Sequence, residues 1–151
     1  MMDWKALARL EWKEYRFSSH WDWMHDIVEY RPQIPLKIAG PKDSRNVFGL
    51  IDSGAEGIMV NTGFARPLGI DLALCKPVEI GGVGKEGLTG YETDQVIVTV
   101  SDFAYDLKTR IIFADIPAEV LLGQTNFFER FKVLLERDKA VFHIAKVPEL
   151  E

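Results

Sequence analysis

The sequence has little of what marks several large classes of protein. It has a single cysteine, Cys75, in 151 residues, so no intramolecular disulfide can form. No apolar run approaches the roughly 18 residues that a membrane-spanning helix needs. Lys and Arg form no cluster longer than a pair and the net charge is −5, which argues against a nucleic acid partner. The first residues lack the apolar segment of a secretory signal, so we expect a reducing, cytoplasmic setting.

Motifs for metals and nucleotide cofactors are missing as well. His20, His25 and His143 do not have the spacing of a metal site, even with the nearby acids. A Gly-x-Gly-x-x-Gly pattern begins at Gly82, but the residues after it predict a strand where a dinucleotide site needs a helix. We therefore expect no metal, no cofactor, and no nucleic acid or membrane partner.

What the sequence does contain is enough apolar side chain, 47% of its residues, for one buried core. Residues 1–30 predict a helical extension, because Asp3 can cap a helix and apolar residues follow at helical spacing: Trp4, Leu7, Ala8, Trp12 and Tyr15. Residues 31–151 predict a separate, mostly β domain. Its predicted strands include IPLKI, NVFGLID, KPVEI, TDQVIVTV and AYDLKTRIIF. Near the end we expect a strand, one short helix over residues 125–131, and a hairpin that turns at residues 137–139.

Asp52 is unusual because it lies between two apolar runs, VFGLI and GIMV. An ionised carboxylate is costly to bury without partners, so such a position serves structure or chemistry. Ser53, Gly54 and Ala55 follow it and supply a hydroxyl, a residue without Cβ and a minimal side chain. Small residues allow the backbone to turn tightly and approach a substrate. The pattern predicts a carboxylate presented on a rigid loop between two strands.

At these residues the sequence resembles the retropepsin-like aspartic protease family. LIDSGAEGIMV resembles the catalytic loop of that family, and EVLLGQTNFFERF is similar to its second signature, in which two apolar residues and Gly precede a short helix. VEIGGVGKEGLTGYE lies between them, where the family carries its flap hairpin. The resemblance covers about residues 33–144, and residues 1–30 match nothing in it.

The resemblance implies a closed β-barrel that hydrolyses peptide bonds with water, without a metal or a covalent intermediate. It assigns Asp52 as the catalytic residue. Ser53, Gly54 and Ala55 are implied to complete the active-site loop. The implied substrate-binding residues are Gly54, Glu56, Gly81, Gly82, Val83 and Gly84, and those implied to brace the loop are Leu121, Leu122 and Gly123.

Two positions depart from the family pattern. Retroviral members often carry Arg directly after the Gly of the second signature, where it pairs with acids near the catalytic loop. Gln124 occupies that position here, so Glu56 needs another partner. The expected flap tip is also rich in glycine and polar, where many relatives are apolar.

The number of catalytic acids predicts a homodimer. An aspartic protease needs two carboxylates, and this chain contains one Asp-Ser-Gly. A second lobe would require about twice the length. We therefore expect two copies to meet at a two-fold axis with Asp52 facing Asp52′, sharing one proton. The resemblance places the chain ends in an inter-subunit sheet, for which Val141, Phe142, Ile144 and Val147 are suitable.

Three interpretations follow from the sequence. The favoured one is a homodimeric aspartic endopeptidase that acts on peptide or protein substrates. A second is a catalytically silent peptide-binding or assembly module that kept the fold. A third is a purely structural β domain in which Asp52 merely occupies a turn.

Overall fold

The computed structural model describes residues 3–82 and 85–149, without the side chains at positions 85 and 86. Val83 and Gly84, expected at the flap tip, lie outside this part. The described residues contain two short α-helices, α1 (Trp4–Ala8) and α2 (Ala65–Leu68). The strands are β1 (Trp12–Arg16), β2 (Ser18–Asp22), β3 (Ile27–Arg31), β4 (Gln33–Ala39), β5 (Ser44–Ile51), β6 (Met59–Asn61), β7 (Lys76–Gly82), β8 (Lys85–Thr93), β9 (Ile97–Val100), β10 (Tyr105–Leu107), β11 (Ile111–Ala114), β12 (Val120–Leu122), β13 (Phe131–Glu136) and β14 (Val141–Lys146).

The main layer is a nine-stranded sheet in the order β10-β9-β4-β5-β12-β6-β11-β8-β7, which curls into a half-barrel. Most neighbours are antiparallel, but β12 runs parallel to β5 and β11 runs parallel to β6. The prediction of a mostly β architecture is confirmed. Within residues 3–82 and 85–149 no strand pairing joins the edge strands β10 and β7, so the closed form of the barrel stays a prediction.

The core forms where strands present alternate apolar residues to one side. Along β4, Ile34, Leu36 and Ile38 are buried, because successive side chains of a strand point to opposite faces. Each such side chain contributes about 1.5–3 kcal/mol when it is fully buried. Aromatic rings close the end of this core near the C-terminus. There Phe127 stacks on Phe131, with ring centroids 5.1 Å apart.

The helix expected over the first residues is much shorter than its sequence pattern indicated. α1 ends at Ala8, and Trp12–Arg16 form strand β1, which pairs with β14. Trp12 and Tyr15 lie on opposite faces of that strand. The Trp12 indole donates to the Leu7 carbonyl at 2.9 Å, whereas Tyr15 stacks on Phe142 at 5.2 Å between centroids. Because both faces of β1 are partly buried, Trp12 and Tyr15 show a three-residue spacing that resembles a helix. The helical description of residues 1–30 is therefore wrong beyond α1.

Two other local predictions also need correction. The helix expected over residues 125–131 is a single turn, Gln124–Phe128, in which Thr125 and Asn126 are not helical. Asn126 has φ 74°, a left-handed conformation that Asn tolerates better than most residues, and β13 follows at once. The segment AYDLKTRIIF forms two strands, because β10 pairs with β9 whereas β11 pairs with β8 and β6.

The C-terminal strand is also placed differently from the expectation. β14 is the central strand of a three-stranded sheet in the order β1-β14-β13. Both of its edges are therefore hydrogen-bonded within the chain, and β14 offers no free edge to a second copy. The hairpin predicted to turn at residues 137–139 is confirmed, since β13 and β14 flank a tight turn at Arg137–Lys139.

β2 and β3 form a separate two-stranded hairpin that precedes β4. In the part of the chain that the structure describes, no helix is long and apolar enough to cross a membrane.

Candidate active site

The Asp52 loop, residues 52–58, joins β5 to β6, and β12 lies between these two strands in the sheet. Leu122 of β12 stands opposite Ile51 of β5 in parallel register, and Leu121 stands opposite Met59 of β6 in antiparallel register. Because the loop connects the two strands that flank β12, it crosses over the end of β12. The sequence thus brings Asp52 next to Leu122 and Gly123.

Asp52 is fixed by both its backbone and its side chain. Its N–H donates to the Leu122 carbonyl at 3.0 Å, and its own carbonyl accepts from the Ala55 N–H at 3.2 Å. Its Oδ1 accepts from the Gly54 N–H at 2.9 Å, the local turn that Asp forms with a backbone amide two residues on. The carboxylate is half-buried, and Ser53 and Gly54 beside it are exposed. The loop therefore presents an oriented carboxylate at the protein surface.

Gly123 allows the loop to lie directly against the end of β12. A Cβ at this position would lie 2.4 Å from the Gly57 carbonyl oxygen and 2.5 Å from that of Ala55. Its φ of −107° is ordinary, so the need for glycine is one of space. Ala55 is buried and its carbonyl accepts the Gln124 N–H at 2.9 Å, which ties the loop to the chain after β12.

Gln124 has a structural role that the sequence did not reveal. Its Nε2 donates to the Ser53 carbonyl at 2.7 Å, and the Thr125 N–H donates to the Glu56 carbonyl at 2.7 Å. Both bonds join the Asp52 loop to the segment after Gly123. The sequence pointed to this role only through the position of Gln124, directly after the Gly of the second signature, where retroviral members of the family often carry Arg. A neutral amide holds the Ser53 backbone here, and the exposed Glu56 side chain is not required for that contact.

The expected flap corresponds to the hairpin of β7 and β8. Ile80 stands opposite Leu88, and an irregularity follows before Gly82 pairs with Lys85. Gly81 is exposed, and a Cβ there would meet nothing within 4 Å. Among the described residues no hydrogen bond joins Gly81 or Gly82 to the Asp52 loop.

The three histidines do not assemble into one cluster. His25 Nδ1 lies 2.6 Å from Asp22 Oδ2, and His143 lies between Glu14 and Glu136 at 3.3 and 3.5 Å. Within residues 3–82 and 85–149, no group of three His, Cys, Asp or Glu side chains could hold a metal ion.

Two cavities, of about 770 and 630 Å³, lie elsewhere, the first beside α1 and the second beside β10. Asp52 lines neither cavity. Burial raises the pKa of the Cys75 thiol, with the Asp71 charge adding to the effect, so this thiol is not activated as a nucleophile.

Comparison with solved structures assigns the fold. The chain is similar to a retropepsin-like aspartic protease from Rickettsia conorii, with a TM-score of 0.58 and 16% identity over 87% of this chain and 98% of that one. It also matches EIAV protease complexed with the inhibitor HBY-793, with a TM-score of 0.47 and 28% identity over 63% of this chain and 83% of that one. No family model matches the sequence, and no curated protein matches it. Because the Rickettsia conorii match spans nearly the whole of both chains, the resemblance to retropepsin-like aspartic proteases is confirmed at the level of the fold.

Proposed function

We propose that the protein is an aspartic endopeptidase whose active site is completed by a second copy of the chain. The observation that carries this proposal is the state of Asp52 in a retropepsin-like fold. Its backbone is tied to β12, its Oδ1 is oriented by Gly54, and its carboxylate remains accessible. A residue that only shaped a turn would not need support from a strand about 70 positions further along the chain.

The chemistry requires Asp52 from each of two copies. Two carboxylates a few ångströms apart cannot both ionise cheaply, so the pair holds one proton. The ionised member takes a proton from water, which attacks the peptide carbonyl carbon. The protonated member donates its proton to the carbonyl oxygen as that oxygen becomes tetrahedral. Collapse of this intermediate breaks the C–N bond: the carboxyl group that took the water proton gives it to the leaving nitrogen, and the other carboxylate takes back a hydroxyl proton.

Under this proposal the surrounding residues take the roles that the family resemblance implies. Ser53 supplies a hydroxyl that hydrogen-bonds between the two loops of the dimer, and the Gly54 carbonyl meets the backbone of an extended peptide. The β7–β8 hairpin acts as the flap that covers the substrate and excludes water. Leu121, Leu122 and Gly123 brace the loop, and Gln124 holds the Ser53 carbonyl at 2.7 Å in place of an ion pair.

Substitution of the acid tests the proposal. We expect Asp52→Asn to lower kcat for a cleaved peptide by at least about a thousandfold, because the amide keeps the shape but cannot exchange the proton. Asp94→Asn, an exposed acid in the turn between β8 and β9, serves as the matched control and should retain wild-type activity. Wild-type cleavage by purified Asp52→Asn would overturn the assignment.

A second measurement separates an enzyme from a silent binding module. A pool of unstructured peptides is incubated with the wild type, with and without the aspartic protease inhibitor pepstatin, and the products are identified by mass spectrometry. Cleavage that the inhibitor suppresses supports the enzyme. Peptide binding without any cleavage by the wild-type dimer would identify the silent module instead.

A further inference from the structure

The β2–β3 hairpin has one polar face and one apolar face. Trp21 stands opposite Val28, and Ser19 stands opposite Tyr30, so these four residues share a face. Trp23 and Met24 follow at the tip. We call Trp21, Val28 and Tyr30, with the tip residues Trp23 and Met24, the apolar face of the hairpin. The opposite face carries His20, Asp22, Glu29 and Arg31, together with Ile27.

The apolar face is largely uncovered in the single chain. Trp21 is 61% exposed, Trp23 73% and Val28 51%. Tyr30, at the root of this face, lies under the Arg137 guanidinium, 4.6 Å from its ring centroid, and is still 47% exposed. Large apolar side chains exposed to this extent on neighbouring residues mark an interaction surface. An isolated two-stranded hairpin is also marginally stable in water, so a partner on this face would stabilise the hairpin.

The root of the hairpin lies beside the Asp52 loop. The Pro32 carbonyl, directly after β3, accepts the Ile51 N–H at 2.9 Å, and Gln33 stands opposite Leu50. Ser18 Oγ fixes the other hairpin strand through a 2.8 Å hydrogen bond to Gln33 Oε1. The hairpin therefore leaves the main sheet at the end where β5 delivers Asp52.

The C-terminal strand cannot form the inter-subunit sheet that the family resemblance implies. β14 pairs with β1 on one side and with β13 on the other, so it cannot add to a strand of a second copy. A dimer that brings two Asp52 residues together must therefore be held by other surfaces. The surface that is apolar, uncovered and rooted next to Asp52 is the apolar face of the hairpin.

We propose that the apolar face of the β2–β3 hairpin packs on a second copy of the chain, about the same two-fold axis that pairs the Asp52 loops. The inference rests on the proposed function, which requires the second copy. The five residues of the apolar face are uncharged, and the charges that touch it are of both signs: Asp26 Oδ1 accepts the Trp21 indole N–H at 3.3 Å, and the Arg137 guanidinium lies over Tyr30. An isologous contact between two copies would therefore not be built from charges of one sign.

The size of the apolar face suits this occupant. A fully buried aromatic side chain removes about 150–250 Å² from water, so the exposed parts of Trp21 and Trp23 correspond to roughly 200–340 Å². A standard interface buries about 800 Å² on each partner. Two residues would therefore supply roughly a quarter or more of the area that one partner needs.

Two neighbouring residues of β3 give a matched pair of variants. Val28 and Ile27 are both β-branched and are 51% and 50% exposed, but they lie on opposite faces of the hairpin. We expect Val28→Asp to raise the dissociation constant of the dimer at least about tenfold, because a symmetric interface contains the new charge twice. Ile27→Asp should leave it within about threefold of wild type.

Sedimentation velocity over a dilution series measures this constant without using activity. Trp21→Glu serves as a second variant, and circular dichroism with urea unfolding shows that each variant is folded at the concentrations used. A folded Val28→Asp or Trp21→Glu protein that is monomeric where Ile27→Asp is dimeric supports the inference.

The outcomes distinguish this inference from the proposed function. If the wild type is a dimer and the Val28→Asp and Trp21→Glu variants dimerise equally well, another surface, such as the outer edge of β1 or β13, holds the dimer. That result overturns the role of the hairpin and leaves the Asp52 pair intact. If the wild type stays monomeric and yet cleaves peptides, the requirement for two copies is wrong, and the hairpin proposal fails with it.

Discussion

Replacing Gly123 with alanine is expected to displace the Asp52 loop without changing any charge. The added Cβ would lie 2.4 Å from the Gly57 carbonyl oxygen and 2.5 Å from the Ala55 carbonyl oxygen, and both atoms belong to backbone that cannot rotate away. Because real Cβ contacts stay beyond 3.0 Å, the loop or β12 must move by about 0.6 Å or more. The φ of −107° suits alanine, so no backbone strain adds to this effect.

The magnitude follows from the size of that displacement. Overpacking by one methyl group in a tightly packed place costs about 1–3 kcal/mol. A misplacement of about 1 Å in a reacting group can cost 10²-fold in rate, so we expect kcat to fall roughly tenfold to a hundredfold. We expect kcat to be lower even under conditions in which Gly123→Ala is fully folded.

Gly57→Ala is the matched control. It lies in the same loop, and a Cβ there would meet nothing within 4 Å. Urea unfolding and peptide cleavage are measured for both variants at one protein concentration, since the proposed dimer would be stabilised by mass action. We expect Gly57→Ala to match the wild type. If both variants lost equal stability and activity, close packing of the loop against Gly123 would not be the cause.

Two further predictions concern hydrogen bonds. Burial, followed by the hydrogen bond that the Tyr15 phenol donates to Asp102 at 2.9 Å, raises the pKa of Tyr15. The free energy of unfolding that the neutral phenol contributes is therefore complete below about pH 10, the pKa in an unfolded chain, and falls as the pH rises further. Between pH 8 and 11 the urea midpoint should decline less steeply for Tyr15→Phe than for the wild type. Parallel declines in the two proteins would contradict this account. Gln124→Ala should lower the free energy of unfolding by about 0.5–1.5 kcal/mol and reduce kcat, because the 2.7 Å hydrogen bond to the Ser53 carbonyl is lost. Thr125→Ala, which keeps its backbone hydrogen bond, should change neither quantity. Equal losses in the two variants would show that the Gln124 side-chain contact is unimportant.

The strands around Asp52 could be predicted from sequence because their signals are local. β4 alternates buried and exposed residues, and the Asp-Ser-Gly of the loop is followed at once by another apolar run. Leu121, Leu122 and Gly123 were recognised through their resemblance to the second signature. The hydrogen bond between the Asp52 N–H and the Leu122 carbonyl follows from a parallel pairing that no spacing in the sequence encodes.

The remaining errors arise where distant segments decide the structure. Trp12 and Tyr15 have helical spacing, yet the pairing of β1 with a strand more than a hundred residues away makes this segment a strand. The alternating pattern continues unbroken through Tyr105, Leu107, Thr109 and Ile111. Nothing in it therefore revealed that the segment changes its partner strand after Leu107. The contact of Gln124 with Ser53 depends on a side-chain direction that only tertiary packing sets.

The long sequence separation between the Asp52 loop and β12 has a consequence for biosynthesis. Leu122, whose carbonyl holds the Asp52 amide, is translated about 70 residues after it. β1 pairs later still, because its partner β14 is translated more than a hundred residues after it. An unfinished chain therefore carries its carboxylate on an unsupported segment with an unpaired first strand. Because Asp52 is tied to β12 only after Leu122 has been made, the proposed peptidase would have no supported carboxylate with which a nascent chain could cleave itself or its neighbours on the same polysome.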